Sequence, residues 1–281
     1  MVANPKIAEQ GPRTSKRAFM FLLLLVLLFS VVLFLFWRNS SLGRALSDKQ
    51  ISEYLHDTKD PHHVQDALAQ VGDRMQKHET DVSRWYPDLV GLTSSPVEEI
   101  RNTDARVMGL DPSVQHFHQA LLKLLTDSSP SVRGNAALSL VNFGDATGRP
   151  QIIELLKPAV VTAPVAGKIV DAGAIGTAVR QDGLVARLDA NGEDVQVRAP
   201  ISGRVEASNV KMGQIVAAGR EIATIDPEGE QVWQGLHALA QIGQAQDLPL
   251  VQHYERSQPY IPKRVREQAE ETEKAIRGKA Q

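Results

Sequence analysis

The sequence contains no cysteine, which removes disulfide frameworks, thiolate zinc sites, iron–sulfur clusters and cysteine nucleophiles together. It also lacks an excess of either charge: 31 Lys and Arg stand against 33 Asp and Glu, a formal net charge of -2, so no basic field exists to hold nucleic-acid phosphates. Gly-Lys-Ser/Thr, GxSxG, GxGxxG and HExxH patterns are absent. What remains is an ordinary hydrophobic fraction of 42% in 281 residues, enough for one or two modest domains. No enzymatic constellation is visible, and the chain reads as non-enzymatic.

One segment departs from this average. From Ala18 to Trp37 every residue except Ser30 is apolar. A helix of ~20 residues matches a hydrocarbon core of roughly 30 Å, so 18–37 is expected to span a membrane. Arg13, Lys16 and Arg17 precede the run, and its last residue, Trp37, is followed by Arg38. The cluster before the run predicts that residues 1–17 form a cytoplasmic tail, although Arg38, Arg44 and Lys49 oppose that bias. A cleaved signal peptide is the rival reading. Its apolar region would be about 7–15 residues and would end at a small-x-small site. After a linker at 38–47, the rest of the chain would lie outside the cytoplasm, in the periplasm of a cell whose inner membrane holds the anchor.

Residues 48–157 show helical spacing, with breaks at Asp-Pro, Ser-Pro and Gly. In the segment from Ser128 to Asp145, Pro130 opens a helix, Val132, Ala136, Leu140 and Phe143 form one stripe, and Gly144 closes it. The preceding helix, Val114 to Thr126, carries Leu121, Leu122, Leu124 and Leu125. A hairpin of two such helices cannot hide its apolar face alone and needs stacked copies. Copies occur at Asp60–Gly72 and Gln231–Gly243, with a degenerate one at Ile261–Ile276. These segments resemble HEAT repeats of the short bacterial kind, with Val-Arg followed by small residues at Val132-Arg133 and Val265-Arg266. An irregular helical bundle is the alternative. The 228–281 block is read as further repeats, its run from Lys263 to Lys279 as an exposed helix paired with itself through Glu270–Lys274 and Glu273–Arg277.

Between Pro158 and Pro227 the texture changes to short Val/Ile strands punctuated by Gly and Asp, the pattern of a small β barrel or sandwich. The stretch Val161–Val170, with Ala163, Pro164 and Gly167, reappears as Val197–Glu206, with Ala199, Pro200 and Gly203. Each copy is followed by Gly and an apolar pair, Gly176 in the first and Gly213 in the second, and Gly219 marks a closing turn. Two halves of about 35 residues, neither able to fold alone, predict interlocking hairpins related by a pseudo-twofold.

These half-motifs resemble the biotinyl/lipoyl-like barrel-sandwich domain in the version found in HlyD-type membrane fusion proteins, the periplasmic adaptors. Carriers of that fold attach biotin or lipoate to a lysine on the hairpin joining the halves. Here the hairpin runs from Leu188 to Val195 without a lysine, and Asn191-Gly192 is a type I′ turn signal. The expectation is therefore no cofactor, and no biotin or lipoate carriage. The adaptors place a long coiled-coil hairpin between their half-motifs, whereas only a short turn stands here, which argues against a tunnel-forming contact with an outer-membrane channel.

Of the eight histidines, His62-His63 and His116-x-His118 are the adjacent ones. Adjacent histidines at a helix start diverge, and an i,i+2 pair on a helix points about 200° apart, so neither pair makes the i,i+4 zinc arrangement, and no metal is expected. Together these readings predict a membrane-anchored α+β protein: one transmembrane helix, HEAT-like helices, and an inserted all-β barrel-sandwich domain. The resemblance implies an adaptor or scaffold that binds protein partners such as an inner-membrane transporter, touches the bilayer through 18–37, binds no nucleic acid, and forms homo-oligomers. The alternatives are a carrier or accessory subunit of an enzyme, or a small-ligand sensor. Intact mass spectrometry of the protein purified from its native host decides the carrier reading: the unmodified sequence mass is expected, and an added biotinyl or lipoyl group would establish a carrier.

Overall fold

The computed structural model describes residues 45–256 and 258–279. The expected tail (1–17), the membrane span (18–37) and most of the linker (38–47) lie outside the described residues. Among the described residues no helix is long and apolar enough to cross a membrane. Two textures alternate along the chain. Helices α1 (Asp48–Leu55), α2 (Pro61–Gln76), α3 (Tyr86–Leu92), α4 (Glu98–Met108), α5 (Gln115–Leu124), α6 (Pro130–Asn142) and α7 (Arg149–Leu156) come first. Eight strands follow, and α8 (Gly229–Ile242), α9 (Leu248–His253) and α10 (Lys263–Lys279) close the chain.

Local chemistry explains the helix boundaries. Asp60 and Ser129 cap α2 and α6 by accepting hydrogen bonds from the backbone N–H groups of His62 (2.9 Å) and Val132 (3.4 Å), and proline occupies the first turn of each. Gly144 stops α6 with φ of 72°, where a Cβ would be strained. Val132, Ala136 and Leu140 are fully buried, and Phe143 lies half-buried against His118.

The helices α2, α4, α6, α8 and α10 pack in a row, each against the next, so the row passes directly from α6 to α8 across the strands between them. Side chains rung the row together. Asn135 Nδ2 donates to Asn102 Oδ1 (2.6 Å), Ser139 Oγ to the Ala105 carbonyl (2.9 Å), and Asn142 Nδ2 to the Gly109 carbonyl (3.1 Å), at offsets of 33, 34 and 33 residues. Thr272 Oγ1 donates to the Leu236 carbonyl (2.9 Å) between α10 and α8. The α4 helix begins after Ser95-Pro96-Val97 and continues Glu98-Glu99-Ile100-Arg101, a further Pro-started unit beyond the copies expected from the sequence. Helix α10 also differs from its reading as exposed. Val265, Gln268, Ala269, Thr272 and Ile276 are buried, and the charged residues, including the Glu273–Arg277 pair (2.7 Å), cover the other face.

The strands β1 (Ala159–Thr162), β2 (Gly167–Ala172), β3 (Ala178–Val179), β4 (Leu184–Ala190), β5 (Glu193–Arg198), β6 (Gly203–Ser208), β7 (Ile215–Val216) and β8 (Glu221–Pro227) form two four-stranded sheets. Their orders are β1-β8-β6-β3 and β5-β4-β2-β7. Exchanging β1–β4 with β5–β8 turns one sheet order into the other, so the halves interlock about a pseudo-twofold. The hydrogen bonds repeat as well. Ala163 N–H donates to Arg220 O and Ala199 N–H to Gly183 O, each at 2.8 Å, while Ile169 N–H reaches Gln214 O (2.8 Å) and Val205 N–H reaches Thr177 O (3.0 Å). The core between the sheets is equally paired: Val161 with Val197, Ile169 with Val205, Leu188 with Ile225, all buried.

The glycine of each Ala-Pro-x-x-Gly is dictated by a close approach of backbones. A Cβ on Gly203 would stand 1.9 Å from the Asp226 carbonyl oxygen, and one on Gly167 2.8 Å from that of Asp189. Gly203→Ala is therefore expected to destabilise the barrel by at least ~3 kcal/mol, the upper end of overpacking costs. Gly91→Ala in α3, where a Cβ meets nothing within 4 Å, should be neutral or stabilising by up to ~1 kcal/mol. Denaturant unfolding of the two variants checks the contrast, and equal effects would refute it.

Candidate functional site

Two concave places are built where elements meet. The first is a groove of about 490 Å³ on the row of helices, with walls from α2, α4, α6 and α8. Its floor is made from small and carboxamide side chains, because the rungs between helices require them there: Asn135, Ser139 and Asn142 bond across the row and line the groove at the same time. Arg106 comes from α4 and Leu110 from the turn after it, where it is 38% exposed. Trp233 and His237, one turn apart on α8, stack with ring centroids 5.4 Å apart at 10° and form an aromatic wall. The groove thus combines hydrogen-bonding amides, one guanidinium, the Asp73 carboxyl and an aromatic face that includes the His237 imidazole.

The second place lies where the barrel meets the later helices. A cavity of about 490 Å³ is bounded by the β3 edge, Arg204, Asp226, Glu230, Tyr254, Tyr260 and Arg264. Beside it His253 Nε2, at the end of α9, lies 2.9 Å from Asp226 Oδ1 and 3.8 Å from Glu206 Oε1. Burial first, and then the nearby Asp226 charge, push the Glu206 carboxyl above its ordinary range, against the pull of His253 and Arg256. Burial also raises the Tyr260 phenol to about 12, and Asp226 and Glu206 add to it. Tyr254, 1% exposed, donates its hydroxyl to the Leu156 carbonyl and ties α9 to the end of α7. Among the described residues this cluster brings three metal-capable side chains together. Nothing in their sequence spacing marks them, since they come from two strands and a helix.

The residues singled out from sequence fall elsewhere. Ala163 and Ala199 are buried at equivalent places in the barrel. Pro164 and Pro200 follow them as exposed residues. Gly176, Gly213 and Gly219 take positive φ of 85°, 82° and 78° in turns between strands. Asn191 and Gly192, at φ of 58° and 92°, close the β4–β5 hairpin, with Gly192 N–H donating to Asp189 Oδ1 at 2.6 Å. Lys168 lies on β2 and Lys211 in the turn before β7, neither of them at that hairpin. His63 lies 2.8 Å from Asp57 Oδ2 and stacks on Tyr54, and His118 Nε2 lies 2.7 Å from Asp145 Oδ2.

Compared with known proteins, residues 157–228 match the barrel-sandwich hybrid domain of the RND membrane fusion proteins. A solved structure of a single-chain, multi-domain long-chain acyl-CoA carboxylase is similar over 25% of this chain and 7% of that one, with 21% identity and a TM-score of 0.24. No curated protein matches the chain.

Asp104, on the same helix as Arg106, supplies a pH test of the stack. It is fully buried, neither carboxylate oxygen is hydrogen-bonded among the described residues, and burial alone lifts its carboxyl well above the ordinary range. The unfolded chain ionises this group near 3.9. Its contribution to stability is therefore complete below that value and is lost as pH rises toward the folded value. Asp104→Asn does not titrate. Its unfolding midpoint should gain on the natural protein's between about pH 4 and pH 7, and a constant difference across that range would contradict the assignment.

Proposed function

We propose that this chain is a non-enzymatic adaptor of the cell envelope, anchored in the inner membrane through residues 18–37. In this reading its helical stack and barrel-sandwich domain lie on the periplasmic side and bind a protein partner such as an inner-membrane transporter. The observation that carries the reading is the match of residues 157–228 to the barrel-sandwich domain of RND membrane fusion proteins, in a copy whose inter-half hairpin ends in Asn191-Gly192. A carrier would present an amine there. This hairpin instead folds its tip back onto Asp189.

The helical groove supports the protein-binding half of the proposal. Stacked helical units offer an extended concave surface. Arg106 and Trp233 supply the guanidinium and aromatic groups enriched in protein interfaces, and the carboxamides of Asn135 and Asn142 line the groove beside them. The HEAT-like character of the units belongs to the same proposal, supported by the rungs at offsets of 33 and 34 residues.

Affinity purification of the full-length chain from detergent-solubilised native membranes should recover one membrane-protein partner reproducibly. Trp233→Ala should lower that partner's affinity about tenfold or more, as removal of an interface aromatic does. Recovery of no reproducible partner, or equal affinity for Trp233→Ala, would sink the groove as the binding surface.

A further inference from the structure

The joint between barrel and helices holds three side chains for which binding at the groove has no use. Glu206 comes from β6, Asp226 from the last residues of β8, and His253 from the C-terminal end of α9. One oxygen or nitrogen of each lies within 4.8 Å of the others. His253 Nε2 is 2.9 Å from Asp226 Oδ1 and 3.8 Å from Glu206 Oε1. Those separations bracket the ~3.3 Å between neighbouring ligand atoms around a tetrahedral ion with bonds of about 2.0–2.1 Å.

Asp226 provides a second and separate observation. It is 4% exposed, and its Oδ2 atom is buried and accepts no hydrogen bond among the described residues. A buried carboxylate oxygen without a donor is uncommon and costly. The neighbouring cation does not relieve it, because Arg256 reaches Glu206 rather than Asp226, at 3.8 Å, and its side chain is 60% exposed. Two carboxylates therefore face one imidazole, which hydrogen-bonds Asp226 Oδ1 and leaves the buried Asp226 Oδ2 without a donor among the described residues. The His253 ring is held edge-on to Tyr254, with centroids 4.8 Å apart, so Nε2 stays directed at both acids.

We propose that Glu206, Asp226 and His253 bind one divalent transition-metal ion that fastens the barrel to the helical stack. Two carboxylate oxygens and one imidazole nitrogen suit zinc and its neighbours in the first transition row. Calcium would demand six to eight oxygens, more than the cluster offers. Zinc with three protein ligands keeps a fourth position for water. The ion would compensate the paired carboxylates and give Asp226 Oδ2 a partner. Because the ligands come from β6, β8 and α9, it would also join the two textures of the chain at one point.

The test uses the full-length chain in detergent, stripped with a chelator and titrated with Zn²⁺ by calorimetry and by thermal melting. One Zn²⁺ per chain is expected at the cluster, with a melting point that rises with zinc concentration. Glu206→Gln and His253→Gln should each weaken binding at least tenfold and remove the zinc-dependent rise. Glu206 is only half-buried, so Glu206→Gln should melt close to the natural protein without zinc and serves as the folded control. His62→Gln, on the exposed start of α2, should bind zinc as the natural protein does. Absence of binding at 100 µM Zn²⁺ would overturn the proposal. So would binding that survives both cluster substitutions, which would assign the zinc to surface histidines, or an equal rise in melting point with Ca²⁺. None of these outcomes bears on the adaptor reading, which rests on the barrel match and the groove.

Discussion

Strands β1 and β8 pair antiparallel with Ala159 opposite Ile225, so the barrel's first and last residues leave it side by side. That one pairing lets seventy residues of β structure be inserted without opening the helical row. Helices α7 and α8 then meet at the ends of the insertion. Gln231 Nε2 donates to the Leu155 carbonyl (2.8 Å), and the fully buried Leu156 packs so tightly on Gly235 that an added Cβ would stand 2.9 Å from its side chain. Were β1 and β8 on opposite edges, α6 and α8 could not be neighbours, and the groove they wall would not exist.

Burial and hydrogen bonding share the work at this junction unequally. Burying one leucine of the size of Leu156 is worth about 2–3 kcal/mol. The Arg149–Asp247 pair, both partners largely buried and joined through two hydrogen bonds, offsets most of its Coulomb gain with desolvation. Its role is register. Asp247 also accepts from the Gln244 N–H (2.9 Å), so Arg149 can engage it only when α9 sits at one position against α7. Exposed pairs such as Lys49–Glu53 and Lys263–Glu267 contribute little by comparison.

What the sequence discloses follows the range of the interaction. The barrel was legible because its information is local and doubled: Ala-Pro-x-x-Gly occurs twice, each time with the glycine that a backbone approach requires, and Asn191-Gly192 carries the φ signs of its own turn. The helices that start at Pro61 and Pro130 were legible from those prolines and their apolar spacing for the same reason. The unit at Ser95-Pro96-Val97 escaped because Glu98, Glu99 and Arg101 make its first turn look solvated, although Arg101 reaches Asp127 with two hydrogen bonds. In α10, Val265, Ala269, Thr272 and Ile276 keep a buried stripe, but the surrounding charge obscures it. The passage of the row from α6 to α8, and the meeting of Glu206, Asp226 and His253, depend on contacts between distant segments and leave no local pattern at all.

The functional reading inherits this geometry. A barrel of the membrane-fusion type is here mounted on a row of helices, and the shape of the groove proposed to take a partner depends on that row being continuous. Excising residues 159–226 and joining Pro158 to Pro227 through a short Gly-Ser linker tests that continuity most directly, by far-UV circular dichroism and thermal melting. The account predicts a helical protein that still unfolds in one cooperative step. A chain that loses its helicity, or that melts in two separate transitions for the segments before and after the excision, would show that the row is not one structure and would contradict it.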